Sequence, residues 1–238
     1  MVFHFTILAP GDISKEVKFK ISKSAKTSNS RRNCYLLFRQ LFDSPEKDIY
    51  QELEQGEHIS IWKDYFGEDN YKIHDILSKE LPDLSELKHK WREDISPRQG
   101  KIKPIESIYK VWTTDPSCEM PFADDKGYLM SDWAQHMEYI LDQIGKDIPD
   151  EFQSMPDFIG FELELMSILV EKKLEERQKM FLEHHMDWIP DMRKEAEKKQ
   201  ISQFYREVIR LLEKFVREEW KFLGLDESCQ DKFKKFTG

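Results

Sequence analysis

The sequence predicts an all-α fold in which a single multi-helix bundle forms around one core. Two features of the composition support this prediction: the 238 residues include only 9 glycines, and charged residues make up 35% of the chain. Such a balance is typical of amphipathic helices joined by few tight turns. The third feature is the spacing of apolar residues, which follows a helical period through most of the chain after residue 28. A hydrophobic content of 39% suffices for a sizeable core.

The charge and cysteine content of the chain argue against several classes of protein. Forty-six acids against thirty-seven bases give a formal net charge of −9, which disfavours unaided binding to nucleic acids and favours basic partners. Cys34, Cys118 and Cys229 are far apart and form no disulfide or zinc pattern. Because neither a secretory signal nor a transmembrane stretch is recognisable, a cytoplasmic location is expected. Neither a metal nor a cofactor is predicted.

Residues 1–28 differ from the rest of the chain. Apolar and polar residues alternate on both sides of a Pro-Gly-Asp turn signal, as in two short strands. The same segment carries lysines at positions 15, 18, 20, 23 and 26. It is therefore predicted to be either a small β-hairpin or a basic arm, and residues 29–238 are predicted to form one helical domain.

The helices of this domain are predicted from apolar stripes and from the breaker residues between them. The first helix begins at Asn29 and stops at Ser44-Pro45. Further helical stretches are predicted at residues 46–55, 58–66, 71–79, 84–94 and 129–144, in a helix that starts near 156, in a stretch that ends at Trp188-Ile189-Pro190, and at 201–222.

A long segment without a helical stripe, residues 95–125, interrupts this pattern. It holds four prolines together with Tyr109, Trp112 and Phe122, and only a helical turn near residues 105–111 is expected in it. Loops of this length in compact domains are usually functional or disordered. The aromatic residues predict that the segment packs against the core.

Glu162 is the most informative single residue, because helical geometry places it on the buried face of its helix, opposite Glu164. A buried carboxylate needs a partner, so Glu162 either has a structural role or faces a ligand. A helical di-metal site would need two Glu-x-x-His motifs, and only Glu86 to His89 matches. No nucleophile elbow or phosphate-binding loop occurs, and no enzyme is predicted.

Four segments, in order, resemble the TorD/DmsD/NarJ family of chaperones for exported molybdenum oxidoreductases. The strongest is MPDFIGFELELM at residues 155–166, which is similar to the family's Pro-Asp-His-Ile...Glu-Leu-x-Phe-Met pattern. PIESIY at residues 104–109 resembles the Pro-x-Glu-Ser-Val-Tyr element. Leu41-Phe42 with Pro45, and FLEHHMDWIP at residues 181–190, resemble the end of the first helix and the His-Leu-x-x-Trp-Ile-Pro element. One departure is Phe158, where many relatives carry histidine.

The resemblance implies a TorD-like chaperone that binds the twin-arginine leader and the immature catalytic subunit of a molybdopterin oxidoreductase, assisting cofactor insertion before export. A leader that joins arginines to an apolar helix suits an apolar groove rimmed by acids. The chain is expected to be a monomer or a domain-swapped dimer. Two other functions stay open: a helical metalloprotein with carboxylate and histidine ligands, and a scaffold protein without leader binding.

The groove is expected where the 95–125 segment meets the start of the 156 helix. The predicted peptide-binding residues are Glu106, Tyr109, Trp112, Asp157 and Phe158. The residues predicted to support them are Ser107, Glu162, His184 and Trp188. In this hypothesis Glu106 or Asp157 meets the leader arginines, and the aromatic side chains contact its apolar part. The alternative is that Glu106 and Glu162 only hold the loop in place.

Overall fold

The computed structural model describes residues 26–67 and 75–225. Their helices are α1 (Ser28–Phe42), α2 (Lys47–Gln55), α3 (His58–Phe66), α4 (Asp75–Lys79), α5 (Leu84–Asp94), α6 (Glu106–Tyr109), α7 (Asp132–Gln143), α8 (Ile159–Glu171), α9 (Glu175–His185), α10 (Ile189–Lys198) and α11 (Gln203–Phe222). No strand occurs among these residues, and the predicted all-α fold is confirmed.

Helix α8 is the centre of the bundle. Its sequence is apolar on almost every side, and nearly all of its residues are buried, as expected for a helix covered all round. Helix α1 packs along α8, and α11 packs against α10 and α1. Aromatic rings join α1 to α11: the Phe215 ring centroid lies 4.7 Å from that of Tyr35 and 5.3 Å from that of Phe38. These contacts make one continuous core.

One buried ion pair ties the first helix to the last. The guanidinium of Arg31 on α1 donates to the Glu219 carboxylate on α11 at 2.7 Å and to Gln178 Oε1 on α9 at 2.7 Å. The Tyr65 hydroxyl donates to the same carboxylate at 2.8 Å. Because each charge is paired and hydrogen-bonded, the group is held in the core without an uncompensated charge.

The predicted helices are confirmed through most of the chain, but one boundary is wrong. The stretch predicted to end at Trp188-Ile189-Pro190 instead ends at His185, and Pro190 lies in the first turn of a separate helix, α10. Proline is tolerated there because the first amide groups of a helix have no intrahelical acceptor. Residues 1–25 of the predicted hairpin or basic arm (1–28) lie outside the described residues, as do residues 71–74 of another predicted helix.

The connection between α5 and α7 has two parts. Its first part packs against the core, with Ile95, Ile102, Ile105 and Tyr109 all buried, so the predicted docking is confirmed for residues 95–112. Its second part, residues 113–131, runs over the outside of the bundle and is mostly exposed. Within the described part of the chain, no helix has the length and apolar character needed to cross a membrane.

Candidate functional site

The connection is joined to the start of α8 by backbone hydrogen bonds. Ile105 and Phe158 form an isolated antiparallel bridge. The amide of Glu106 donates to the carbonyl of Asp157 at 3.1 Å, and the amide of Ile159 donates to the carbonyl of Pro104 at 3.0 Å. We call this meeting of residues 104–112 with residues 155–162 the junction. It brings the two strongest sequence motifs into direct contact.

Close packing at the start of α8 depends on Gly160. A Cβ atom at this position would lie 2.5 Å from a ring carbon of Phe158. Phe158 is buried and its ring centroid lies 5.0 Å from that of Phe152, so the ring has little room to move away. The glycine therefore allows the Phe158 ring to fold over the first turn of the helix.

Asp157 fixes the first turn of α6. Its carboxylate accepts the backbone N–H of Ser107 at 2.7 Å and also the Ser107 hydroxyl. The side chain of Asp157 caps a helix that belongs to another part of the chain, since α6 begins at Glu106. Burial raises the pKa of Asp157 to about 6, and the bonds from Ser107 lower it in part. The carboxylate is completely buried and faces the protein.

Glu106 and Lys110 form a buried ion pair across one turn of the chain. The Lys110 ammonium lies 2.9 Å from Glu106 Oε1 and 2.6 Å from Asp187 Oδ1. It also donates to the backbone carbonyl of His184 and lies 3.6 Å from the centroid of the Trp133 ring. Burial opposes the Lys110 charge, but Glu106 and Asp187 outweigh it and raise the pKa of Lys110.

Two histidines continue this network. His185 Nδ1 lies 2.8 Å from Glu106 Oε2, and His185 Nε2 lies 2.7 Å from His136 Nδ1. With Glu106 ionised, His185 Nδ1–H donates to Glu106 and His185 Nε2 accepts from His136 Nδ1–H, which requires the His185 imidazole to be neutral. Burial and then the Lys110 charge lower the pKa of His185 well below its usual value. Burial and then His185 lower the pKa of His136 to about 4.

Glu162 is the third buried acid of the junction. Burial, followed by the charges of Glu106 and Asp157, raises its pKa well above the usual range. Its Oε2 accepts the indole N–H of Trp188 at 3.3 Å. Burial raises the pKa of Glu106 to about 7, whereas Lys110, His136 and a hydrogen bond with Glu162 lower it. Burial and the neighbouring acids thus favour the protonated form of Glu162, which adds no negative charge to the interior.

Trp188 connects this acid to the ring of Tyr109. The two rings stack with centroids 5.2 Å apart. The Trp188 indole N–H also donates to the backbone carbonyl of His185 at 2.8 Å. Aromatic stacking and the indole hydrogen bonds thus hold the connection against the start of α10.

The structure brings the predicted site residues together but buries most of them. Glu106, Asp157 and Glu162 have 0% exposed surface, and Tyr109, Phe158 and Trp188 are also buried. Trp112 is only half-buried. Ser107 and Trp188 hold other residues in place, and His184 contributes a backbone carbonyl. Direct contact between a peptide and Glu106 or Asp157 would require the junction to open, so their predicted role in peptide binding stays a prediction.

Sequence reasoning missed four members of the network: Lys110, His136, His185 and Asp187. One signal was available, because Lys110 follows Glu106 by four residues, the spacing of an ion pair across a helical turn. The adjacent pair His184-His185 near a helix end indicates that one of the two packs or caps, but no local pattern identifies the partners, which are distant in the chain. Of the adjacent pair His184 and His185, the second provides the buried side chain.

The arrangement is a buried network of hydrogen bonds and ion pairs, which is suited to holding the connection in place. Among residues 26–67 and 75–225, no cluster of His, Cys, Asp or Glu is arranged to hold a metal ion. Both members of the Glu86 to His89 motif are exposed, and His89 Nδ1 lies 3.4 Å from Glu93 instead.

The family model for the nitrate reductase delta subunit matches residues 63–194, more than half of the chain. The chain belongs to the nitrate reductase delta subunit family. The match includes every predicted site residue and the whole junction. The resemblance to the TorD/DmsD/NarJ chaperones is thereby confirmed. This family consists of chaperones that assist the maturation of molybdoenzymes and is not a catalytic family. No curated protein and no solved structure matches the chain significantly.

Proposed function

We propose that this chain is a cytoplasmic chaperone that binds the twin-arginine leader and the immature catalytic subunit of a molybdopterin oxidoreductase. In this role it holds the subunit until its cofactor is inserted and then releases it for export. The observation that carries the proposal is membership of the nitrate reductase delta subunit family, whose model spans the junction.

The charge of the chain supports a basic partner. A formal net charge of −9 attracts a leader with adjacent arginines over long distances. Such attraction mainly accelerates encounter, whereas apolar contacts determine how long the complex persists. A chaperone that must later release its client needs this combination of fast association and moderate affinity.

Two roles are open to Glu106 and Asp157. They could meet leader arginines, or they could hold the connection in place so that other residues meet the leader. Both carboxylates are fully buried and already accept hydrogen bonds from Lys110, His185 or Ser107. A leader arginine would have to replace partners that cost free energy to remove. The burial supports the second role.

A pull-down from the native host tests the proposed function. We expect the tagged chain to capture the catalytic subunit of a molybdenum oxidoreductase, and expect the capture to fail when the leader of that subunit is deleted. Replacing the two arginines of the leader with glutamine provides the matched control. Recovery of a stable partner that has no leader would instead favour a scaffold protein. Light scattering of the complex would distinguish a monomer from a domain-swapped dimer.

A further inference from the structure

Residues 113–131 form a loop whose two ends are close together. The amide of Asp132 donates to the carbonyl of Trp112 at 3.1 Å, and the amide of Thr113 donates to the carbonyl of Ala123 at 3.1 Å. The Thr113 hydroxyl also donates a hydrogen bond to the Asp132 carboxylate. We call this segment the external loop. Its backbone is held at the base by hydrogen bonds, as in other compact surface loops with a functional role.

Three aromatic rings meet at this loop. The ring centroids of Trp112 and Phe122 are 5.3 Å apart, those of Phe122 and Tyr128 are 5.5 Å apart, and those of Trp112 and Tyr128 are 6.1 Å apart. Tyr128 is 45% exposed, and Met120 in the same loop is 52% exposed. Among the large apolar side chains of the described residues, these two are the most exposed. Apolar surface gathered in this way is typical of an interaction site.

The loop around these rings is acidic. It contains Asp115, Glu119, Asp124 and Asp125 but only one basic residue, Lys126. The Lys126 ammonium lies 3.5 Å from the Asp191 carboxylate, outside the loop. Hydrogen bonds from the backbone and hydroxyl of Ser117 lower the pKa of Asp115, so this carboxylate is ionised at neutral pH. The loop therefore presents a net negative charge beside exposed aromatic rings.

The junction fixes the position of this surface. Lys110 is held by Glu106 and Asp187 only two residues before Trp112. On the other side of the loop, the Trp133 indole N–H donates to the carbonyl of Val111 at 3.1 Å. The buried network and the external loop are consequently consecutive parts of one connection, the first rigid and enclosed, the second open to solvent.

We propose that Trp112, Met120, Phe122 and Tyr128, with the acids of the external loop, form the docking surface for the leader of the client subunit. This inference rests on the proposed function and deepens it by moving the contact from the buried acids of the junction to Trp112 and the exposed loop that follows it. Arginine side chains stack on aromatic faces and pair with carboxylates. The apolar part of the leader covers the methionine and the rings. The charge complementarity between an acidic loop and a basic, apolar peptide selects this occupant.

A titration with a labelled peptide tests the proposal. The probe is a synthetic peptide that carries two adjacent arginines followed by an apolar helical segment, and its binding is followed by fluorescence anisotropy. We expect Met120→Ala with Tyr128→Ala to weaken binding by roughly tenfold, as for exposed aromatic anchors of other interfaces. We expect Asp124→Asn with Asp125→Asn to weaken it severalfold and to reduce its dependence on salt.

Matched variants elsewhere on the surface serve as controls. Leu174 and Met180 are each 38% exposed, and their replacement by alanine should leave the affinity unchanged. Asp147→Asn with Glu151→Gln removes two exposed acids outside the loop and should also have no effect. Circular dichroism of every variant confirms that its helices are intact.

The outcomes separate this inference from the proposed function. If the wild-type chain binds the probe and the loop variants bind it equally well, the docking surface is refuted while the chaperone function stands. If neither the probe nor the leader of a captured client binds the wild-type chain, both proposals are refuted. If Met120→Ala with Tyr128→Ala instead abolishes a self-association seen by sedimentation, the surface belongs to a second copy of the chain.

Discussion

The junction and the external loop are neighbouring parts of one connection with similar composition and opposite environments. Both combine acids with aromatic residues. In the junction, Glu106 and Asp157 are fully buried and hydrogen-bonded. In the external loop, Asp124 is exposed and forms no ion pair with any described residue. The comparison shows that acids of one connection can have different roles. The acids of the junction hold the fold together, whereas those of the external loop are accessible to a binding partner.

The difference between the junction and the external loop also explains how one connection can be held rigidly and still expose a binding surface. The enclosed network determines where the connection lies, because the Ser107 amide, the Lys110 ammonium and the Trp188 indole each have a specific acceptor. The rings of the external loop contact one another but still present surface to solvent. A surface held in place loses little conformational entropy when a peptide binds. Variants that alter either the junction or the external loop, but not both, will test whether the two have separate roles.

The largest effect is expected from removing the buried lysine. Lys110→Met leaves Glu106 without its ion-pair partner in the interior, and we expect the free energy of unfolding to fall by about 3–5 kcal/mol. Lys126→Met in the external loop is the matched control, because its pair with Asp191 is exposed and should contribute less than about 1 kcal/mol. Urea denaturation of both variants measures the difference. Equal losses of unfolding free energy in the two variants would contradict separate roles for the junction and the external loop.

A smaller loss is expected from the acid that caps α6. Asp157→Ala leaves the buried amide and hydroxyl of Ser107 without an acceptor, which should cost about 2–3 kcal/mol. Asp124→Ala in the external loop should change the stability by no more than about 0.5 kcal/mol. Thermal and urea unfolding report both values. A stable Asp157→Ala variant would show that the capping bonds are dispensable.

The lowered pKa of His136 makes the stability of the protein depend on pH. The pKa of His136 is lowered to about 4 in the folded protein, so its contribution is present above about pH 6.5 and is lost as the pH falls through 4. We expect His136→Asn to lose stability less steeply than the wild type in this range, by roughly 1–2 kcal/mol because the residue is half-buried. Urea unfolding at a series of pH values measures the two slopes.

Ionisation of Glu106 and Asp157 changes the stability with pH in the opposite direction to that of His136. Their pKa values are raised to about 7 and about 6, so the folded state binds more protons than the unfolded state and their contribution falls as the pH rises toward 7. The Asp157 contribution is common to the wild type and to His136→Asn, whereas Glu106 loses one of the groups that lower its pKa when His136 is replaced. The difference between the two proteins therefore reports on His136 together with its effect on Glu106. Parallel curves for both would contradict a neutral, half-buried His136.

The smallest effect is expected from Glu162. Because burial and the neighbouring acids favour the neutral form of this carboxyl, Glu162→Gln preserves that charge state and keeps an acceptor for Trp188, and should cost less than about 1 kcal/mol. Glu106→Gln should cost more, since it removes the charge that faces Lys110. Chemical denaturation at neutral pH compares the two variants. A larger loss for Glu162→Gln would mean that Glu162 is the ionised member of the pair.

Sequence reasoning predicted the helical fold well, because apolar stripes report directly on which faces are buried. It also predicted that Glu162 is buried and that Glu164 is not, which follows from their positions on one helix. Glu164 indeed pairs with Lys146 at 2.7 Å on the outside of the bundle. The start of α10 was missed because Pro190 was interpreted as the end of a helix, although proline is also common in a first turn.

The candidate site was harder to predict than the fold. The two motifs that meet at the junction are recognisable in the sequence. The sequence leaves open whether Glu106 meets a leader arginine in a groove or, with Glu162, only holds the loop in place. Whether a carboxylate is satisfied depends on partners such as His185 and Lys110, which only the folded chain brings within hydrogen-bond distance. The aromatic cluster of the external loop has no periodic pattern, so its assembly depends on tertiary structure.

The most direct test of the account measures peptide binding in one variant of each region. The probe peptide is titrated into Asp157→Asn, which keeps an acceptor for Ser107, and into Met120→Ala with Tyr128→Ala. The account predicts that the folded junction variant binds within about twofold of the wild type while the loop variant binds roughly tenfold more weakly. Loss of binding in Asp157→Asn with wild-type affinity in the loop variant would contradict it and return the contact to the junction.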